Sequence, residues 1–105
     1  MLPEIPKEYF EYIKAHGAFE GFTTDDSEPG FIELWAPEAI APNNRDIEIE
    51  SLAPGFIAFA GNGGGEVLAF DASGAIHMLP LIGIELDCAI KVADDFASLV
   101  GRFVR

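Results

Sequence analysis

The sequence predicts an α+β domain: a mainly antiparallel sheet with an N-terminal and a C-terminal helix packed on it. Three observations carry this expectation. Apolar residues at helical spacing occupy 6–16 and again the C-terminal end. Between them lie short apolar or alternating segments, each bounded by turn residues. Strands that follow one another, with helices only at the ends, suit an antiparallel sheet better than parallel βαβ units. The 105 residues are half hydrophobic and include nine Phe, so the chain reads as a single domain, 1–105, able to bury a core without staples.

Residues 6–16, PKEYFEYIKAH, read as the first helix. Pro6 suits a first turn, Tyr9, Phe10 and Ile13 share a face, and Gly17 supplies the stop. His16 falls in the last turn, where a cation meets the helix dipole favourably. The polar stretch TTDDSEPG, 23–30, is a loop. Asp25, Asp26 and Glu28 within it lack the alternating ladder closed by Glu that a calcium loop needs, so they read as solvated acids and no metal is expected. FIELWA, 31–36, is a strand with Ile32 and Leu34 on one face and Phe31, Glu33 and Trp35 on the other. Either a second covered face holds those aromatics, or Phe31 and Trp35 form a partly exposed anchor pair. Pro37 then begins a short helical turn. DIEIE, 46–50, alternates strictly and predicts an extended edge segment, with Ile47 and Ile49 inward and Asp46, Glu48 and Glu50 outward. Such an acidic face either protects an edge or binds a partner.

The most conspicuous stretch is FIAFAGNGGGEVLAFD, 56–71. A phosphate loop leads into a helix whose first N–H groups bind the anion; this one leads into a strand. The Walker lysine is absent, and Glu66 stands where the dinucleotide fingerprint needs its third glycine. Gly61, Asn62, Gly63, Gly64 and Gly65 therefore read as the structural turn of a hairpin. DASG, 71–74, is a second turn, with Asp71 bonding to the backbone ahead of it. AIHMLPLIG follows as a strand ending at Pro80 or shortly after. The last helix starts near Asp94 as N-cap and carries Phe96, Leu99, Val100, Phe103 and Val104 as its apolar stripe, with Gly101 inside it.

Eighteen acids against six bases leave a net charge of −12. Nucleic acid and anionic membrane are disfavoured, because both require clustered Lys and Arg. A basic protein partner is the natural complement, and solubility alone is the competing explanation. No apolar run is long enough for a membrane helix, and the N-terminus MLPEIPKEYF lacks a signal-peptide pattern. The lone Cys88 fits a reducing compartment, so a cytoplasmic location is expected. Two His and one Cys with no motif around them give catalysis no foothold, and neither an enzyme nor a cofactor is expected. The feature that would reverse this is a cleft holding a hydrogen-bonded pair such as His77 with an acid.

Several segments together resemble the SUKH superfamily, which joins bacterial immunity proteins to a yeast regulator of cell-wall synthesis. They are LPEIPKEYFEYIKAHGAFEGF, FIELWAPEAI, APGFIAFAGNGGGEVLAFD, MLPLIG and VADDFASLV, in the family's order. The glycine hairpin ending in FD, preceded by Pro-Gly and followed by PLIG, is the most specific part. The resemblance implies a non-enzymatic protein-binding module, an immunity protein that neutralises a cognate toxin by blocking it. A toxin acting on nucleic acid carries a basic surface, which the charge here complements. The expected partner surface comprises Asp25, Asp26, Glu28, Glu33, Asp46, Glu48 and Glu50, with Phe31 and Trp35 as anchors. A monomer or weak homodimer is expected. The alternative is a housekeeping scaffold or a small-ligand binder that uses the face beneath the glycine hairpin.

Overall fold

The first helix shows how the chain sorts its aromatic residues. In the computed structural model, which describes residues 2–24, 29–82 and 89–104, α1 spans Lys7–His16 and ends where the Gly17 N–H bonds to the Ile13 carbonyl, with Gly17 at φ 79°. Tyr9 and Tyr12 are buried and Ile13 is half-buried, whereas Phe10 is exposed. Tyr12 thus takes the core position expected of Phe10. Positions 9, 12 and 13 form the i, i+3, i+4 face, and position 10 lies a quarter-turn away from it.

The sheet has six strands in sequence order, each antiparallel to its neighbour. They are β1 Glu20–Phe22, β2 Phe31–Leu34, β3 Ile57–Gly61, β4 Glu66–Phe70, β5 Ile76–Pro80 and β6 Ile90–Ala93. One face is covered by α1 and by α4, Phe96–Val100. Here Ile32, Leu34, Phe59, Leu68, Phe70, Ile76 and Met78 meet Tyr9, Tyr12, Phe96 and Leu99. Tyr9 stands edge-on to Phe59 at 5.3 Å and to Phe96 at 5.2 Å, the geometry that aromatic quadrupoles favour. Its hydroxyl donates to the Trp35 carbonyl at 2.5 Å, so the one polar atom of this ring is satisfied inside the core.

The helix α2, Pro37–Asp46, runs beside β3, and the opposite face is covered by α3, Ile49–Leu52. Ala58, Val67, Ala69 and Leu79 of the sheet meet Ile49, Ala53 and Phe56 there. A polar side chain ties α2 to the edge of β3. Asn44, 2% exposed, donates to the Ala58 carbonyl at 2.9 Å and accepts from the Ala58 N–H at 2.8 Å. The last β2 residue paired with β3 is Leu34, opposite Ala60. Beyond it the chain leaves for α2, and Asn44 completes the ladder where no strand is present.

The structure corrects further expectations. DIEIE is not a strand: Asp46 closes α2, Ile47 is helical, Glu48 turns through the left-handed region at φ 55°, and Ile49 opens α3 fully buried. Two isoleucines two apart are too short a pattern to separate the two periods, and the tether at Asn44 keeps this segment over the sheet. The expected short turn at Pro37 is instead a ten-residue helix. The N-cap of α4 is Asp95, whose carboxylate accepts from the Ser98 N–H at 2.8 Å, while Asp94 pairs with Lys91. That helix stops at Val100; Phe103 is buried, but it bridges Thr23 beside β1, and Val104 is exposed. Strands β1 and β6 were not expected at all.

Candidate functional site

Among the described residues, α3 covers its face across β3, β4 and β5. No helix covers that face across β1 and β2 among the described residues. Glu20 lies directly opposite Glu33, and Phe22 directly opposite Phe31, so all four project to the uncovered side. Phe22 is 67% exposed and meets the half-buried Phe31 edge to face at 5.5 Å. Glu20 and Glu33 are both exposed. Two like charges directly across an antiparallel pair repel, and an approaching cation relieves that repulsion. Phe31 is held by the hairpin: a Cβ on Gly63, which sits at φ 74°, would come within 3.1 Å of its ring.

The hairpin tip is built from its own side chain. Asn62 Oδ1 accepts from the N–H groups of Gly64 at 2.9 Å and Glu66 at 3.1 Å, and its Nδ2 donates to Glu66 Oε1 at 2.9 Å. Two N–H groups are therefore occupied within the loop, and a carboxylate lies beside them. That arrangement repels an anion rather than cradling it.

Beneath the hairpin lies a groove of about 390 Å³. Trp35, Gly61 and Val67 come from the sheet side, Asn43, Asp46 and Ile47 from the end of α2, and Glu66 and Leu81 complete it. Trp35 is half-buried and touches both core clusters, so its ring is at once a core element and a groove wall.

The expected site residues thus divide. Phe31 and Glu33 share the uncovered face, and Trp35 and Asp46 share the adjoining groove. Glu48 and Glu50 line a separate groove with Leu2, Arg45 and Ser51. Asp25, Asp26, Glu28 and Cys88 lie outside the described residues. Sequence reasoning missed Glu20, Phe22 and Glu66. The alternation E-G-F before the acidic loop was the available signal for the first two.

His77 does pair with an acid: its Nε2 lies 3.0 Å from Asp71 Oδ2. The other Asp71 oxygen accepts from the Ser73 N–H at 2.8 Å, the Ser73 hydroxyl at 2.7 Å and the Ala75 N–H at 3.1 Å. Partial burial opposes the Asp71 charge, but these hydrogen bonds and the one to His77 outweigh it and bring the carboxyl down to about 2. The His77 ring packs edge-on against Phe56 at 5.0 Å. Neither residue lines the grooves described above or a further cavity of about 790 Å³ between the start of α1 and Ser73–Gly74. The pair pins a turn to a strand. Among the described residues no cluster of three or more metal-ligating side chains occurs, and no helix is long and apolar enough to cross a membrane.

No curated protein matches the chain closely enough to count as a relative. Among protein families, the SMI1 / KNR4 family (SUKH-1) matches over residues 4–102, a span running from ahead of α1 to beyond α4. With nearly its whole length matched, and with the sheet and terminal helices that the resemblance implied, the chain belongs to the SMI1 / KNR4 family (SUKH-1).

Proposed function

We propose that this chain is a non-enzymatic protein-binding module, acting in the cytoplasm as an immunity protein for a basic toxin domain. The observation that carries the reading is the uncovered half-sheet, where Phe22 and Phe31 stand beside the opposed carboxylates of Glu20 and Glu33. An aromatic centre with a charged rim is the anatomy of a protein interface. A net charge of −12 on a domain of this size steers a basic partner toward that face over long range. Family membership supports a binding role.

The test begins with the DNA flanking the gene. A large neighbouring reading frame with a variable C-terminal domain supplies the candidate toxin. Co-expression of that domain with this chain is expected to restore growth that the domain alone abolishes. Persistent toxicity, with the chain demonstrably folded and abundant, overturns the reading.

A further inference from the structure

The hairpin holds the dipeptide Asn62–Gly63, in which a side-chain amide lies next to a backbone nitrogen that no side chain shields. Asn62 is half-buried and Gly63 is exposed. The Asn62 carboxamide uses its whole hydrogen-bonding capacity, two acceptor sites and two N–H groups. Oδ1 accepts from the N–H groups of Gly64 at 2.9 Å and Glu66 at 3.1 Å. Nδ2 donates to Glu66 Oε1 at 2.9 Å, and Met78 Sδ lies 3.7 Å from it. Exchanging the amide oxygen and nitrogen would set Nδ2 against two backbone N–H donors, so this orientation is fixed. The Gly63 N–H, by contrast, makes no hydrogen bond among the described residues.

We propose that Asn62 is a latent self-modification site and that its hydrogen bond to Glu66 is the gate. This inference is independent of the binding reading above. When the carboxamide is released, the Gly63 nitrogen attacks Asn62 Cγ. The N–Cγ bond forms and the Cγ–Nδ2 bond breaks. The proton lost from the Gly63 nitrogen balances the one gained by the departing ammonia. Water then opens the cyclic imide at either carbonyl, leaving an aspartate or a β-linked isoaspartate at position 62. In the closed hairpin two effects oppose this reaction. Attack makes Cγ tetrahedral and expels Nδ2, so the contacts to Glu66 and Met78 are lost. It also builds negative charge beside the Glu66 carboxylate, and like charges repel most strongly at short range. The two N–H groups on Oδ1 stabilise that charge, but they already hold the ground-state carbonyl, so only the difference lowers the barrier. The product does not fit the closed hairpin. An oxygen replaces Nδ2 and faces Glu66 Oε1, two carboxylates where a donor and an acceptor had met. Gly63 packs so close beneath Phe31 that an added Cβ would stand 3.1 Å from the ring, so displacing the loop at 62–63 removes support from that ring.

The test incubates the full chain, its Glu66→Ala and Glu66→Gln variants and the blocked peptide Gly-Asn-Gly-Gly-Gly in one buffer at neutral pH. Conversion at position 62 is followed by peptide mapping with mass spectrometry, and the isoaspartyl product by enzymatic methyl-ester labelling. The folded chain is expected to convert at least about tenfold more slowly than the peptide, the factor that one net hydrogen bond supplies. The same chain unfolded in urea is expected to match the peptide. Glu66→Ala, with its fold verified by circular dichroism, is expected to recover most of the peptide's rate. Glu66→Gln keeps the acceptor oxygen and loses the charge, so its rate is expected between those of the natural chain and Glu66→Ala. A folded natural chain that converts as fast as the peptide overturns the proposal. A folded Glu66→Ala variant as slow as the natural chain also overturns it, because rigidity of the hairpin alone then protects the amide. If Glu66→Ala does not fold, Glu66→Gln decides: a rate no faster than that of the natural chain overturns the gate.

Discussion

Replacing Asn44 with Ala tests how the fold delivers Asp46 to its groove. Asn44 satisfies both backbone groups of Ala58 that β2 leaves unpaired, and it is 2% exposed, so water cannot substitute without opening the helix. Each buried backbone group left without a partner costs about 1–3 kcal/mol. Two such groups, less the water that enters once α2 loosens, come to about 3 kcal/mol. That is a large share of the roughly 5–15 kcal/mol available to a domain. The melting temperature should fall by about 12–20 °C. Asn44→Asp should be no better at neutral pH, because one carboxylate oxygen would face the Ile40 and Ala58 carbonyls that now accept from Nδ2. Unlike the Ala variant, it should recover part of its stability as acid protonates that oxygen. The assay is urea unfolding followed by Trp35 fluorescence and, separately, by circular dichroism. A loss under about 1 kcal/mol for Asn44→Ala would show that the ladder does not depend on this side chain, refuting the reasoning.

Three further outcomes follow from the packing. Asp71 holds its proton less tightly when folded, with its carboxyl at about 2, so its contribution is present at neutral pH and is lost as pH falls from about 4 through about 2. Because the group is partly exposed, that contribution is discounted to about 1 kcal/mol, and acid unfolding of Asp71→Asn should show a correspondingly shallower pH dependence. Burial pushes the Tyr9 hydroxyl well above the usual range, so stability should decline above about pH 10, where the unfolded chain ionises this group and the native core resists it. Tyr9→Phe should lower stability at neutral pH by about 1–2 kcal/mol while flattening that alkaline decline, measured by unfolding at a series of pH values. Gly63→Ala combines a positive φ with a Cβ 3.1 Å from Phe31, and should cost about 1–2 kcal/mol by denaturant unfolding. Gly64→Ala, at ordinary φ with only contacts of 3.6 Å or more, should cost much less in the same assay.

The legible parts of this fold were those in which one segment carries its own pattern. The face of β2 could be read because Ile32 and Leu34 alternate with Phe31 and Glu33, and the two sets do lie on opposite sides, while Trp35, just past the strand, touches both cores. The hairpin could be read because strand-like segments flank the glycines on both sides, whereas a phosphate loop leads into a helix. What failed depended on partners distant in sequence. Strand β1 is three residues long and is defined by pairing with β2 and by the bridge from Thr23 to Phe103. Strand β6 exists because β5 offers it an edge. The helical path from Pro37 to Leu52 is fixed by Asn44 reaching Ala58, a contact that hydrophobic periodicity does not encode. The candidate site was legible to the same extent. Trp35 and Asp46 could each be singled out as residues suited to binding, but their meeting in one groove needed α2 to run its full length. The uncovered face needed knowledge of where α3 stops.

The most direct test of the central claim is the association rate with the proposed partner, a toxin domain encoded beside this gene, measured across ionic strengths for the natural chain and for Glu20→Lys/Glu33→Lys/Asp46→Lys. These three acids sit on the uncovered face and in its adjoining groove. Reversing them should slow association by about tenfold or more at low salt and flatten its salt dependence, with the fold intact by circular dichroism. Equal rates and equal salt slopes for the two proteins would contradict the account and place the partner elsewhere on the molecule.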